Sequence, residues 1–417
     1  MKKPTFQHPG LLLAAAATFA VQIVVFGQGA LTPPGPPAPT MKTLDQIEPR
    51  IPISAATTPG DATALYIINK SGSYYLTGTI TGVVGKAGIR IEATRVSVDL
   101  MGYSMVGVAG SLSGITVTGG EGFAYRNGSI LNWGGDGLYA GYDALVESVT
   151  VSGNGGYGIR AGSKSRVVKC SVSYNTSSIG IFLSGNGHVS DCAANDNEQG
   201  IYVADGSTVV ACSTDNNTVY GIHVGDGSVI KNCATSYNNV AGILAGNHCV
   251  VGDSAASVNE GSGISVGDGC VISRCTASQN GTGTLGTGIS AGNKTLLTEC
   301  LVISNRNVGV YAGGDCVITR NHISHNGTGA AAAGIQVTGN NGRIEDNNLR
   351  SNSGDGILVD ASATGNLVVR NIAGGNGLFQ YRVPGIPGQP LAGANIVGAI
   401  VNNATNAAAN AWANFQP

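Results

Sequence analysis

The chain has 417 residues, of which 65 are glycine, 42% apolar and only 11% charged. That composition supports a large buried core and many tight turns, and it excludes a disordered or collagen-like chain. The net charge is −2, with Lys and Arg scattered rather than clustered, which removes the basic footprint of a nucleic-acid binder.

In chain order, Lys2 and Lys3 precede an apolar run from Leu11 to Phe26, ending in the small residues Gly27, Gly29 and Ala30. This pattern predicts a signal peptide over 1–30, so the chain is expected to be exported and to leave the membrane on cleavage. Residues 31–45 open with the proline-rich stretch Leu31 to Thr40, which resists helix and interior strand and predicts an extended linker. Residues 46–110 are expected to form an N-terminal cap and opening coils, with strands around Ser73–Thr77 and Ile89–Leu100.

From 111 to 380 the chain repeats. A glycine followed by Ile, Leu or Val recurs at Gly114, Gly137, Gly158, Gly180, Gly200, Gly221, Gly242, Gly263, Gly288, Gly309, Gly334 and Gly356. A second column is wholly asparagine: Asn132, Asn154, Asn175, Asn197, Asn217, Asn238, Asn259, Asn280, Asn305, Asn326, Asn352 and Asn376. A drifting period of about 21 residues predicts an all-β solenoid, one coil per repeat, with parallel in-register strands about 4.8 Å apart. At that spacing stacked Asn amides can pass hydrogen bonds from coil to coil.

A third column reads Asn127, Cys170, Cys192, Cys212, Cys233, Ser254, Cys275, Cys300, Asn321, Asn347 and Asn371. Its cysteines are expected to be buried free thiols acting as small hydrophobes, since parallel Cβ vectors suit a disulfide badly and the chain's nine leave at least one unpaired. The residue before this column is often charged, and from Asp253 the signs alternate through Arg274, Glu299, Arg320, Asp346 and Arg370. That order predicts exposed ion pairs between coils, each contributing at most about 1 kcal/mol. Residues 381–417 hold one further strand near Asn395–Val401 and an Ala/Asn-rich tail whose Trp412 and Phe415 are expected to cap the core.

These columns resemble the right-handed β-helix repeats of the pectate-lyase-like superfamily, and residues 30–53 resemble the start of a family of secreted bacterial β-helix proteins of unassigned activity. The resemblance implies a right-handed parallel β-helix and a polysaccharide or cell-surface glycan as partner. It also implies substrate lying on an outward strand face, two residues after each repeat glycine. There the row contains Tyr139, Arg160, Phe182, Tyr202, His223 and Tyr311.

Aromatic rings stack on sugars, and Arg160 and His223 have the chemistry to meet a uronate carboxylate or move a proton. No Asp or Glu stands in that row, so the carboxylate pair of a glycoside hydrolase is not visible there. Asp205 and Asp226 fall one coil apart at Asx-Gly turns, where a calcium ion between them is the one metal the pattern suggests; no cofactor is required. His322 and His325 lack a third ligand and read as turn histidines. Longer corners at Gly281–Thr287 and Gly327–Ala333 flank Arg306, which suggests a shallow groove near Tyr311.

Two readings follow: a glycan-binding or structural solenoid in the periplasm, at the cell surface or outside the cell, and a uronate lyase or epimerase using Arg160 and His223. The oligomeric state is not encoded in any of these patterns.

Overall fold

A computed structural model describes residues 50–175, 177–283, 286–329, 332–383, 395–398, 400–402 and 413–416. The expected signal peptide over 1–30, the whole of the expected linker over 31–45 and Trp412 lie outside the described residues. Residues from Arg50 onward form one unit, built from strands of two to eight residues.

Each repeat supplies three strands. In one coil these are Gln199–Val203, Thr208–Val210 and Ser213–Asp215, and Tyr220–Val224 opens the next. The first strand of every coil joins a fifteen-stranded parallel sheet running from Ala64–Ile68 to Tyr381–Arg382, called the front sheet below. The other two columns form the second sheet, of thirty strands. Register holds from coil to coil: Tyr202 faces His223, Val209 faces Ile230 and Thr214 faces Thr235.

The residue after each of the twelve repeat glycines, from Ile115 to Ile357, is 0% exposed and stacks in an aliphatic core. The glycines themselves are required by close approach. From Gly137 to Gly356, a Cβ at each repeat glycine would lie 2.5–2.9 Å from the Nδ2 of the ladder asparagine that ends its own coil. The Gly and Asn columns are therefore two sides of one packing constraint.

That asparagine ladder runs from Asn154 to Asn376. The Oδ1 of each asparagine accepts the backbone N–H of the preceding one: Asn197 on Asn217 at 3.0 Å, Asn217 on Asn238 at 3.1 Å and Asn238 on Asn259 at 3.0 Å. Nδ2 groups donate along the same stack, for example Asn217 to Asn238 at 2.9 Å. At the C-terminal end Gln380 Oε1 accepts from Asn376 Nδ2 at 2.6 Å and closes the series.

Asn132 is not a member. Leu131 pairs with Ser152, so Asn132 aligns with Gly153, and the ladder position of that coil is the buried Trp133, whose N–H donates to Asn154 Oδ1 at 2.9 Å. The spacing from this corner to the next repeat glycine varies between coils, and alignment on asparagine alone slips by one. Asn127 is displaced in the same way: Gly128 pairs with Val149, and Asn127 has the left-handed φ of 60° that marks the residue before the inward position.

The cysteine column is a second ladder, which corrects the view of its thiols as hydrophobes alone. The Sγ of Cys192 accepts the N–H of Cys170 at 3.4 Å, Ser254 Oγ that of Cys233 at 3.2 Å and Asn321 Oδ1 that of Cys300 at 2.9 Å. A third corner repeats the device, with Ser228 Oγ, Cys249 Sγ and Cys270 Sγ accepting from Ser207, Ser228 and Cys249 at 3.1, 3.4 and 3.3 Å. All nine cysteines are free and buried.

The charged column owes its position to backbone geometry. Its ten residues from Lys169 to Arg370 all have φ of 51–58°, a region hostile to β-branched side chains, and none of the ten is β-branched. The alternating charges form separate pairs: Arg274 with Asp253 at 2.6 Å, Arg320 loosely with Glu299 at 4.0 Å and Arg370 with Asp346 at 2.8 Å. Arg274 and Arg370 hold the Asp253 and Asp346 carboxyls below the usual carboxylate range. In the tail, Asn414 and Asn395 extend two ladders by accepting from Asn371 and Asn366 at 3.0 and 2.9 Å.

Candidate functional site

The front sheet presents one outward column in continuous register, pairing Tyr139 with Arg160, Arg160 with Phe182, Phe182 with Tyr202 and Tyr202 with His223. Flat, parallel strands bring these groups into direct contact. The Phe182 and Tyr202 rings stack with centroids 5.4 Å apart and planes 9° from parallel. His223 meets Tyr202 edge-on at 4.6 Å. The Arg160 guanidinium lies 5.0 Å from the centre of Tyr139.

A second outward column, the residue just before each repeat glycine, completes this surface. Tyr157 lies 5.4 Å from both Phe182 and the Arg160 guanidinium, and Tyr220 meets His223 at 5.2 Å. The result is an unbroken stripe of rings and one cation across five coils. Tyr157, Tyr220 and Asp136 escape a reading that follows only the position two after glycine; tabulating the residue before glycine in the same register exposes them.

The stripe's polar groups are held at its two ends. Asp136 Oδ1 accepts the Tyr157 N–H at 3.0 Å, and its Oδ2 stands 3.9 Å from Arg160 Nη1. Burial raises the Asp136 carboxyl above its ordinary value. At the other end Gln199 Oε1 lies 3.4 Å from His223 Nδ1, and burial lowers the imidazole's affinity for a proton, so His223 is neutral at neutral pH. Arg160 and His223 are three strand steps apart, about 14 Å at ~4.8 Å per step. One sugar ring does not span that distance.

The remaining candidates lie apart from this stripe. Tyr311, 39% exposed, is in the same column but separated from His223 by Leu244, Ser265 and Ser290. Arg306 lines a corner cavity of about 460 Å³ with Gln279, Thr282, Thr328 and Gly329, and its Nη1 donates to the Thr282 carbonyl at 3.1 Å.

Asp205 and Asp226 stack at successive turns, where each Oδ1 accepts the backbone N–H one coil on, from Asp226 at 2.9 Å and Asn247 at 2.7 Å. Among the described residues no group of three or more His, Cys, Asp or Glu is placed to hold a metal. Likewise, no helix among them is long and apolar enough to cross a membrane.

Solved structures are similar to this chain at low identity. The A-module of the Azotobacter vinelandii mannuronan C-5 epimerase AlgE4 is 18% identical over 78% of this chain and 91% of its own, with a TM-score of 0.39. The periplasmic alginate epimerase AlgG is 12% identical over 76% and 81%, at 0.41. The Siphovirus 9NA tailspike receptor binding domain is 10% identical over 84% and 73%, also at 0.41. No curated protein matches the sequence. The family described as right handed beta helix region matches residues 113–253 and 229–373, more than half of the chain, and the chain belongs to that family.

Proposed function

We propose that this protein is an exported solenoid that binds polysaccharide along the front-face stripe from Tyr139 to His223. The observation that supports this most is the run of touching rings, Tyr157, Phe182, Tyr202 and His223, left half-buried on a flat sheet rather than covered. Ring faces give apolar contact to the C–H faces of sugars, and the flanking Arg160, Asp136 and Gln199 supply hydrogen-bonding groups for hydroxyls. Successive coils at ~4.8 Å offer several neighbouring contact points to an extended chain. The leader pattern over residues 1–30 supports export to the compartment where such polymers occur.

Affinity electrophoresis in gels containing polysaccharides tests this reading. The protein is expected to be retarded, and Phe182→Ala or Tyr202→Ala to weaken retardation about fivefold each, the ~1 kcal/mol typical of an aromatic contact. Retardation indifferent to both changes would remove the stripe from the interaction.

The lyase or epimerase reading rests on a neutral His223 whose Nδ1 is held near Gln199. Formation of an unsaturated uronate product that vanishes in His223→Ala would establish the lyase, and inversion at C-5 without that product, lost in the same variant, would establish the epimerase. These assays are run with and without calcium, the ion Asp205 and Asp226 would hold.

A further inference from the structure

The front column carries three arginines, and each stands beside a carboxylate. Arg90 pairs with Asp61 at 2.6 Å and Glu92 at 2.9 Å, Arg160 faces Asp136 at 3.9 Å and Arg382 meets Asp355 at 3.2 Å. Register places all three in the same outward column as the rings. With His223 neutral, the face has no net positive charge to set against a polymer that carries a carboxylate on every ring. Arg306, which has no carboxylate partner among these pairs, lies at a corner and not in this column.

The Arg160–Asp136 pair is also too long for a direct hydrogen bond. Asp136 has one oxygen committed to the Tyr157 N–H, which leaves Oδ2 facing the guanidinium across the gap. The guanidinium is positioned by two rings and donates no hydrogen bond among the described residues. A donor and an acceptor 3.9 Å apart over an aromatic platform match two adjacent hydroxyls of one sugar, one accepting from Arg160 and the other donating to Asp136. A carboxylate at the same point would meet the like charge of Asp136.

Resting on the glycan-binding reading, we infer that the stripe takes a neutral hexose polymer and not a polyuronate, with Asp136 and Arg160 reading vicinal hydroxyls of one ring. Affinity electrophoresis of the full chain in dextran, galactomannan and xyloglucan, against polygalacturonate and alginate, at low and raised salt, provides the test. The expected result is retardation by a neutral polymer that is insensitive to salt and weakened at least fivefold by Asp136→Asn. That change keeps the oxygen that accepts from Tyr157 and removes the charge, and circular dichroism melting verifies that the variant folds.

Retardation by the polyuronates alone, screened by salt and strengthened by Asp136→Asn, would overturn the inference while leaving glycan binding intact. No retardation by any polymer, or retardation unchanged in both Phe182→Ala and Tyr202→Ala, would instead defeat the reading beneath it, that the stripe binds glycan.

Discussion

Two corners of the same coil meet the same backbone problem with different side chains. At both, a left-handed residue turns the strand and the next residue points inward, leaving an N–H that a side chain of the following coil must accept. One corner uses asparagine without exception from Asn154 to Asn376; the other mixes Cys, Ser and Asn. The difference lies in what else the side chain touches. At the asparagine corner Nδ2 donates along the stack and packs beneath the repeat glycines, so both ends of an amide are used. At the cysteine corner one short acceptor suffices, and sulfur, hydroxyl or amide oxygen all serve.

The comparison breaks most visibly at Asn238. Asn238→Leu would leave the Asn217 N–H without its acceptor, take from the Asn217 Nδ2 one of two acceptors, the Ala194 carbonyl remaining, and take from the Ser236 carbonyl one of two donors, the Asn216 N–H remaining. With about 1–3 kcal/mol for a buried group left unpaired and smaller losses at the two groups left half-satisfied, the expected loss is on the order of 3 kcal/mol, read from the urea midpoint. An unmoved midpoint would show that the stacked amides do not hold the coils.

At the other corner the effect is smaller and depends on the atom introduced. Cys300 Sγ accepts the N–H of Cys275 at 3.4 Å. Cys300→Ala removes that acceptor and is expected to cost about 1–2 kcal/mol. Cys300→Ser keeps an acceptor, as Ser254 already does in this column, and should cost less than about 1 kcal/mol. Equal losses from the two would mean that the thiol contributes volume and not a hydrogen bond.

Much of this architecture is legible in the sequence because each corner imposes a chemical demand that recurs every coil. The Gly-Ile and Asn columns, the buried thiols and the alternating charges all reappear as stacked rows. The misreadings have local causes. Asn127 and Asn132 resemble column members, but the opening coils pair through two eight-residue strands, Ala124–Leu131 and Leu145–Ser152, whose register moves both to left-handed positions.

In the stripe, Tyr139, Arg160, Phe182, Tyr202 and His223 were visible as one row. Asp136, Tyr157 and Tyr220 were not, because the inward Gly-Ile pair places two outward columns an odd number of residues apart, which simple alternation does not anticipate. The separation of Arg160 from His223 is likewise a matter of coil number, which turns a suggested catalytic pair into two ends of one surface.

The left-handed residue itself gives the finest test of the comparison. Before the asparagine ladder this position holds Tyr174, Asp196, Asn216, Tyr237, Gln279, Ser304, His325 and Ser351, together with Val258 at φ 57°. Valine is the one β-branched member, and its branched Cβ crowds the backbone in this region. Val258 is half-buried and outside the inward core, so a polar replacement loses little packing. Val258→Asn should therefore stabilise the solenoid by about 1 kcal/mol, seen as a higher urea midpoint with an unchanged slope. If the midpoint falls, the valine's packing outweighs its strain, and the corner is governed by side-chain contact more than by backbone conformation.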